Sequence, residues 1–412
     1  MKINKMTIYP SKIRGSVKIS GSKNSSLPII AASLVTSKYS KLKNIPNIKD
    51  IENMISILRK IGCNIEFKKD CLKIESDFSK CDLLFDEIKE IRASYYLMSI
   101  FLAKFNEVKI YYPGGCSFGS RPIDFHLEGF RLAGCKVEEE NNIIKIKANC
   151  LKPFVYKMPK KSLGATVNLI ILASKINGVS IIKNASTEPE IDDLICFINK
   201  GKAKVYRKNS EIIIKGSYEI ENQLTHKIIP DRIECFTYMC IGAISRKLTI
   251  KNIEIDHLKM PIYYLRKAGV TIKKRKRSLV IKGNKLVNIT ANSGDYPALS
   301  TDQLPLLYPL FTRVEGESIF TEGIFENRFG VCDELKKTNA DILIENNRVI
   351  IKGRKDITTS EFYAKDLRCA ASLLIECIIN QGGTINNLKY LERGYCNIYN
   401  KLKKIGLCFK IE

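Results

Sequence analysis

The 412 residues include only three histidines, His126, His226 and His257, and no two of the 14 cysteines form a C-x-x-C pair. Histidines so far apart make no H-x₃-H cluster, so no metal site is expected. No apolar run approaches the roughly 18 residues of a membrane span, which argues against a transmembrane helix. The start, Met1-Lys2-Ile3-Asn4-Lys5-Met6, lacks the apolar stretch of a secretory signal. The cysteines therefore read as reduced thiols of a cytoplasmic protein and not as a disulfide scaffold. Acidic residues are also scarce, 43 against 68 Lys+Arg, giving a net charge of +25. That excess admits a nucleic acid, small polyanions or a lysine-rich composition as its cause. The densest run, Lys273-Lys274-Arg275-Lys276-Arg277, lies between Val270-Thr271-Ile272 and Leu279-Val280-Ile281. It reads as a solvated hairpin turn, and no specific nucleic-acid partner is expected.

What is present is enough to build a core. Hydrophobic residues make up 45%, and the length suits two or three domains at roughly 150 residues each. One pattern recurs six times: an Asn-containing turn, an amphipathic stretch, a basic helix end, then alternating strand residues. The helix ends fall at Gly62, Gly134, Gly201, Gly269, Asn339 and Gly406, about 70 residues apart. In each, Lys or Arg suits the negative end of a helix, and Gly or Asn supplies a left-handed residue after it. Tails such as Ile212-Ile213-Ile214-Lys215-Gly216, Leu279-Val280-Ile281-Lys282-Gly283 and Val349 to Gly353 are near copies. The expectation is an α/β protein of two halves, each of three repeated α/β units, with the midpoint near Pro230.

Three segments carry candidate chemistry. The first, Tyr112-Pro113-Gly114-Gly115-Cys116-Ser117-Phe118-Gly119-Ser120-Arg121-Pro122-Ile123-Asp124, is glycine-rich but neither a Walker A loop nor a G-x-G-x-x-G fingerprint. A thiol at Cys116, five residues from Arg121, suits a general acid or a nucleophile. The second, Gly21-Ser22-Lys23-Asn24-Ser25-Ser26, reads as a strand end turning into a helix start. Free backbone amides there, with Lys23 beside them, suit an anion, and an ordinary capped helix start is the competing reading. The third is a set of single arginines in polar turns: Arg92, Arg121, Arg328, Arg368 and Arg393. Arginine grips phosphate and carboxylate bidentately, so their convergence would suit a polyanionic substrate. Asp302, and Asp231 with Glu234, are carboxylates that could act as bases.

These segments, with Ile91-Arg92-Ala93-Ser94, Ser162-Leu163-Gly164-Ala165-Thr166, Glu188-Pro189-Glu190-Ile191, Phe325-Glu326-Asn327-Arg328, Asp366-Leu367-Arg368 and Glu392-Arg393-Gly394-Tyr395, give the chain its likeness. It resembles the UDP-N-acetylglucosamine 1-carboxyvinyltransferase family of enolpyruvyl transferases over essentially its whole length. The resemblance implies two domains, each an inside-out α/β barrel of three repeats. One would span residues 21–229 and the other 230–412 plus 1–20, with the active site in the cleft between them. It implies transfer of the enolpyruvyl group of phosphoenolpyruvate to the 3′-hydroxyl of UDP-N-acetylglucosamine, with release of phosphate, in peptidoglycan precursor synthesis. Neither a cofactor nor a metal is implied, the partners are these two small molecules, and a monomer is expected.

By resemblance, Cys116 delivers a proton to the enolpyruvate methylene and is the target of fosfomycin, while Asp302 takes the hydroxyl proton. Lys23, Asn24, Arg121, Arg368 and Arg393 would hold phosphoenolpyruvate. Asn24, Arg92, Arg121, Pro122, Ile123, Asp124, Lys160, Ser162, Leu163, Gly164, Asp302 and Ile324 would hold the sugar nucleotide. Arg328, Asp366, Asp231, Glu234 and Glu188 would support them. Phe236, Ser300, Lys202 and Cys396 depart from the family pattern, which leaves room for a divergent enolpyruvyl transferase. 5-Enolpyruvylshikimate-3-phosphate synthase, with shikimate 3-phosphate as acceptor, has a Gly-Asp-Lys-Ser motif where this chain has Gly21-Ser22-Lys23-Asn24. A non-catalytic anion-binding module is the reading from a different class.

Overall fold

A computed structural model describes residues 4–114, 123–325 and 328–412. They form two compact units: an inserted unit from residues 21–229, and an outer unit from residues up to 20 together with 230–412.

Five helices set the architecture: α1 (Lys23–Thr36), α2 (Tyr96–Phe105), α3 (Leu163–Ala173), α4 (Arg232–Ala243) and α5 (Leu367–Ile379). They are apolar nearly all round, and almost every residue in them is buried. Such a helix must be covered on every side. In the inserted unit α1 packs on α2 and α2 on α3, and in the outer unit α5 packs on α4 and on the turns Leu304–Leu306 and Tyr308–Phe311. Sheets wrap the outside, which is the inside-out α/β barrel. Four of the helices start on a side-chain cap: Ser22, Ser162, Asp231 and Asp366 each accept from an amide of the first turn, satisfying donors that would otherwise be orphaned.

Each repeat contributes one sheet. In the third, Val155–Lys157 runs parallel to Gly178–Lys183, which pairs antiparallel with Glu211–Gly216, and that strand with Lys204–Lys208. The fifth repeats this order with Thr290–Asn292, Gly316–Thr321, Arg348–Gly353 and Asp341–Glu345. In the second repeat the leading strand is reduced to a bridge, Leu83 to Ile110. The leading strands of the first and fourth repeats are exchanged. Glu221–Lys227 leads the first sheet, beside Ser37–Lys43, and Arg14–Lys18 leads the fourth, beside Lys247–Lys251. In the sixth sheet Lys5–Ile8 lies between Gly383–Asn386 and Phe409–Ile411.

The recurring asparagine locks each leading strand. Asn44, Asn184, Asn252 and Asn387 all have positive φ. Their side-chain amides donate to Ile228 O, Met158 O, Ile19 O and Ala364 O at 2.9, 2.9, 2.7 and 3.1 Å. Each acceptor is the residue just after the leading strand, so the same bond closes four repeats whichever part of the chain supplies that strand. The Lys-Gly tails are alike for a second reason. A Cβ on Gly216, Gly283 or Gly353 would lie 2.3, 2.4 or 1.8 Å from Ala173 O, Ala243 O or Val314 O, so only glycine lets the tail cross the end of the central helix.

Two local expectations are corrected. Five of the six helix-end residues have positive φ, but Gly201 does not. Its place is fixed instead by a close approach to Thr36, whose Cγ2 would sit 2.8 Å from an added Cβ. The basic run is not all turn: Lys273 to Arg275 belong to the strand Thr271–Arg275, which pairs with Ser278–Lys282. All five basic side chains are exposed.

Candidate functional site

Cys116, Arg121 and Pro122 lie outside the described residues. The other candidates are placed unit by unit.

In the inserted unit, Gly21 passes so close to Asn44 that a Cβ would lie 1.6 Å from its carbonyl oxygen. Ser22 N donates to Ile229 O at 2.8 Å, and Ser25 N and Ser26 N turn back to Ser22. Three of the amides offered to an anion are therefore used by the fold. The Lys23 ammonium is largely buried and pairs with the buried Asp50 at 2.6 Å. Asn24 beside it is half-buried. A polar cluster holds this turn from behind. Asp193 accepts from Ser25 Oγ, from Ile229 N at 3.2 Å and from His226 Nε2 at 2.8 Å, and the side chains of Asp193, Ser25 and His226 are buried.

Two of the sugar-nucleotide candidates, Arg92 and Gly164, meet an aromatic pair. The Arg92 guanidinium lies 5.7 Å from the Tyr95 ring centre, and that ring meets the His126 imidazole edge-on at 4.7 Å. Asn168 Nδ2 donates to Tyr95 O at 3.1 Å and to His126 Nδ1 at 2.7 Å, and Ser99 Oγ donates to Asn168 Oδ1 at 2.6 Å. His126 Nδ1 is thus an acceptor. Burial, with Arg92 nearby, pushes the imidazole down to about 3, so the ring is neutral at working pH. Gly164 lies against this pair: a Cβ there would come within 2.5 Å of the Tyr95 hydroxyl and 3.2 Å of His126 Cε1. Ser162 caps α3, and Asp124 begins the helix Asp124–Leu132 that carries His126. Ile123 is buried, Leu163 half-buried and Lys160 exposed. Glu188 precedes the helix Pro189–Ile198 without capping it through its side chain.

In the outer unit, Asp302 sits between two arginines. Its Oδ1 accepts from Arg328 Nη2 and its Oδ2 from Arg368 Nη2, the latter at 2.8 Å. Arg328 Nη1 reaches Thr301 Oγ1 at 3.0 Å, and Thr301 donates to Glu322 at 2.8 Å. Arg368 Nη1 reaches Tyr395 Oη at 3.4 Å, which shares a hydrogen bond of 2.7 Å with Thr237. Burial alone would raise the Asp302 carboxyl, but the Arg368 and Arg328 guanidiniums outweigh it and hold it well below the usual carboxylate range. Asp302 is therefore ionised at neutral pH. Asp366 caps α5 through Arg368 N and Cys369 N and so fixes the turn that carries Arg368. Arg328, Arg368 and Asp366 line one small cavity of about 30 Å³. Glu322 also receives Ile324 N and Phe325 N, and the Ile324 side chain is exposed. Asp231 caps α4. Glu234 accepts from Ser20 N at 2.9 Å and from Lys401. Burial raises its carboxyl even against that lysine. Arg393 is half-buried at the end of the short helix Lys389–Glu392.

Tyr95, Asn168, Asp193, His226, Thr301, Glu322 and Lys401 are contributors that sequence reasoning did not single out, although Tyr95 directly follows the quoted Ile91 to Ser94. Of the departures, Phe236 is fully buried core, Ser300 turns its amide and hydroxyl to Gln303, and Lys202 pairs with Glu221 at 3.3 Å. Cys396 is half-buried. Among the described residues no three His, Cys, Asp or Glu side chains are grouped to hold a metal, and no helix is long and apolar enough to cross a membrane.

Six repeats wrapped round buried helices, with arginines and lysine at the helix starts, define the class. The chain belongs to the EPSP synthase (3-phosphoshikimate 1-carboxyvinyltransferase) family, whose model matches residues 8–402. Within that class its full-length similarity is to proteins named UDP-N-acetylglucosamine 1-carboxyvinyltransferase. One from Halothermothrix orenii is 36% identical over 96% of both chains. One from Carboxydothermus hydrogenoformans is 38% identical over 97% of this chain and 96% of its own. One from Buchnera aphidicola is 37% identical over 99% and 100%. Among solved structures, the enolpyruvyl transferase NikO from Streptomyces tendae matches with a TM-score of 0.90 at 20% identity, covering 100% of this chain and 99% of its own. EPSP synthase from Acinetobacter baumannii matches at 0.79 and 17%, covering 99% and 100%. These two likenesses speak to the fold.

Proposed function

We propose that the chain transfers the enolpyruvyl group of phosphoenolpyruvate to the 3′-hydroxyl of UDP-N-acetylglucosamine and releases phosphate, the first committed step of peptidoglycan precursor synthesis. The reaction takes place in the cytoplasm, on a monomer and without a cofactor. The observation that carries this reading is the 36 to 38% identity, over 96% or more of the chain, to curated proteins of that name. The residues supply the parts such chemistry needs.

Protonating the methylene carbon makes C2 an oxocarbenium-like centre, and the sugar hydroxyl adds to it as its own proton leaves. Loss of a proton from C3 then restores the double bond while the C2–O bond to phosphate breaks. Cys116 is the acid for the first proton, and Asp302 accepts the hydroxyl proton. Each of its two oxygens accepts one guanidinium bond, which leaves lone pairs to receive the hydroxyl. Lys23, Asn24, Arg121, Arg368 and Arg393 hold phosphoenolpyruvate, and Asp366 and Arg328 keep Arg368 and Asp302 aligned. Arg92, Asp124, Ile123, Pro122, Lys160 and Ser162 to Gly164 hold the sugar nucleotide, with the neutral His126 and Tyr95 as its floor.

The test is phosphate release from phosphoenolpyruvate, measured with UDP-N-acetylglucosamine and separately with shikimate 3-phosphate. Release with the sugar nucleotide alone, reduced about 10²-fold or more in Asp302→Asn, is the expected result. Release with shikimate 3-phosphate would move the chain to the other branch of its family. No release with either acceptor would overturn the reading.

A further inference from the structure

We infer that the outer unit carries a second anion site, at the far end of its central helices from Arg368, for a molecule with an apolar body and a phosphate or carboxylate head. α5 runs from Leu367 to Ile379, so its last turn is roughly 17 Å from the turn that holds Arg368, at about 1.5 Å per residue. A cavity of about 720 Å³ opens there, within the usual range for small-molecule sites. Ile244, Leu286 and Ile379 contribute its apolar wall, and Lys285, Arg313, Arg354 and Lys355 its cations.

The charges do not cancel. Arg354 is paired with Asp356 at 2.7 Å. Arg313 is bonded to neutral acceptors, Asn380 Oδ1 at 2.8 and 3.0 Å and Ile357 O at 3.0 Å. Lys285 and Lys355 are exposed and have no ion pair among the described residues. Glu315 is the one carboxylate in the lining. The nearby Glu376, which reaches Arg313 through Asn380, is pushed up to about 7 by burial, so it offsets Arg313 only in part near neutrality.

In the third repeat a side chain takes the equivalent corner. There Lys175, just past α3, folds in and donates to Tyr218 O at 2.9 Å and Glu219 O at 2.7 Å. The fourth repeat has no matching plug among the described residues: after α4 come Ile244 and Ser245, and the serine hydroxyl turns back to Gly242 O at 2.9 Å. The corner stays open, apolar beneath and cationic at its edge. That is the complement of an amphipathic anion and a poor match to a bare inorganic ion or a neutral oil.

Isothermal titration of the full chain with octyl phosphate, octanoate, inorganic phosphate and octanol tests this. One octyl phosphate or octanoate should bind per chain, and the comparison of these two tells a phosphate head from a carboxylate head. Inorganic phosphate and octanol should each bind about tenfold or more weakly. The double variant Lys285→Glu/Lys355→Glu should weaken the alkyl anion about tenfold or more. Its thermal midpoint and its phosphate release from phosphoenolpyruvate should be unchanged. Saturating phosphoenolpyruvate and UDP-N-acetylglucosamine should leave the titration as it was. Equal binding of inorganic phosphate, displacement by those two molecules, or an unchanged affinity in the double variant would each overturn the site.

Discussion

Glu376 offers a test of how the outer unit balances a buried charge. It lies in α5 with none of its surface exposed. Asn380 Nδ2 donates to its Oε1 at 2.9 Å, and Thr312 Oγ1 lies 3.3 Å from its Oε2 while bonding to Pro309 O at 3.0 Å. Among the described residues no cation touches the carboxyl directly, and burial raises it from 4.5 to about 7 against the pull of these bonds and of Arg313. Every tenfold gain in proton affinity on folding is worth about 1.4 kcal/mol, so the fold disfavours the carboxylate by about 3 kcal/mol. The folded value lies above the unfolded one, so this group's contribution is fully present below about pH 4.5 and is lost as pH rises through about 7. Glu376→Gln removes the titration and keeps the bonds, because the amide accepts from Asn380 and donates to the Thr312 oxygen. Urea unfolding of both proteins, followed by circular dichroism across that pH window, gives the difference in unfolding free energy. The variant should gain about 3 kcal/mol on the wild type between the two ends of the window and nothing more above it. A flat or falling difference curve would refute the argument, since it would mean that Glu376 is already compensated.

Three further outcomes are expected. Asp193→Ala should destabilise the chain by about 3 kcal/mol in urea, because Ser25, Ile229 and His226 each lose a buried acceptor; a change under about 0.5 kcal/mol would show that the cluster is replaceable. Gly164→Ala should raise KM for UDP-N-acetylglucosamine about tenfold with a smaller effect on kcat, since the new methyl displaces Tyr95 and its partner His126; an unchanged KM would separate Gly164 from the sugar nucleotide. Prolonged incubation with excess fosfomycin and the sugar nucleotide should abolish phosphate release through Cys116, and full activity afterwards would remove that thiol from the mechanism.

The repeats were legible because each helix end writes its own signal: a basic last turn, then Gly or Asn in a conformation other residues resist. Asn44 and Asn252 could be aligned as equivalent turns, but their partners could not. Of the leading strands they close, the one ending at Lys227 lies at the end of the inserted unit's sequence and the one ending at Lys18 lies just before that sequence begins. Strand pairing over such distances leaves no local trace. The arginines were legible as a type and not as a constellation. That Arg328 and Arg368 share Asp302 depends on three turns meeting in space. Lys23 reads in the sequence as a cation that suits an anion, and nothing in the sequence signals its pairing with Asp50, near the start of the next helix. Asp193 and His226 carried no signal because each sits at a position that a purely structural polar residue would equally fill.

The exchanged strands also bear on how the chain emerges from the ribosome. Arg14–Lys18 cannot pair until Lys247–Lys251 has been made, a wait on the order of 10 to 50 s at ordinary rates of synthesis. Lys5–Ile8 waits longer, for Gly383–Asn386 and Phe409–Ile411. The inserted unit supplies every strand of its own sheets and can mature first, while the opening segment of the chain remains an unpaired edge. During that interval Arg14 to Lys18 is an exposed template for wrong partners, and its two terminal cations and its glycine keep it a poor one.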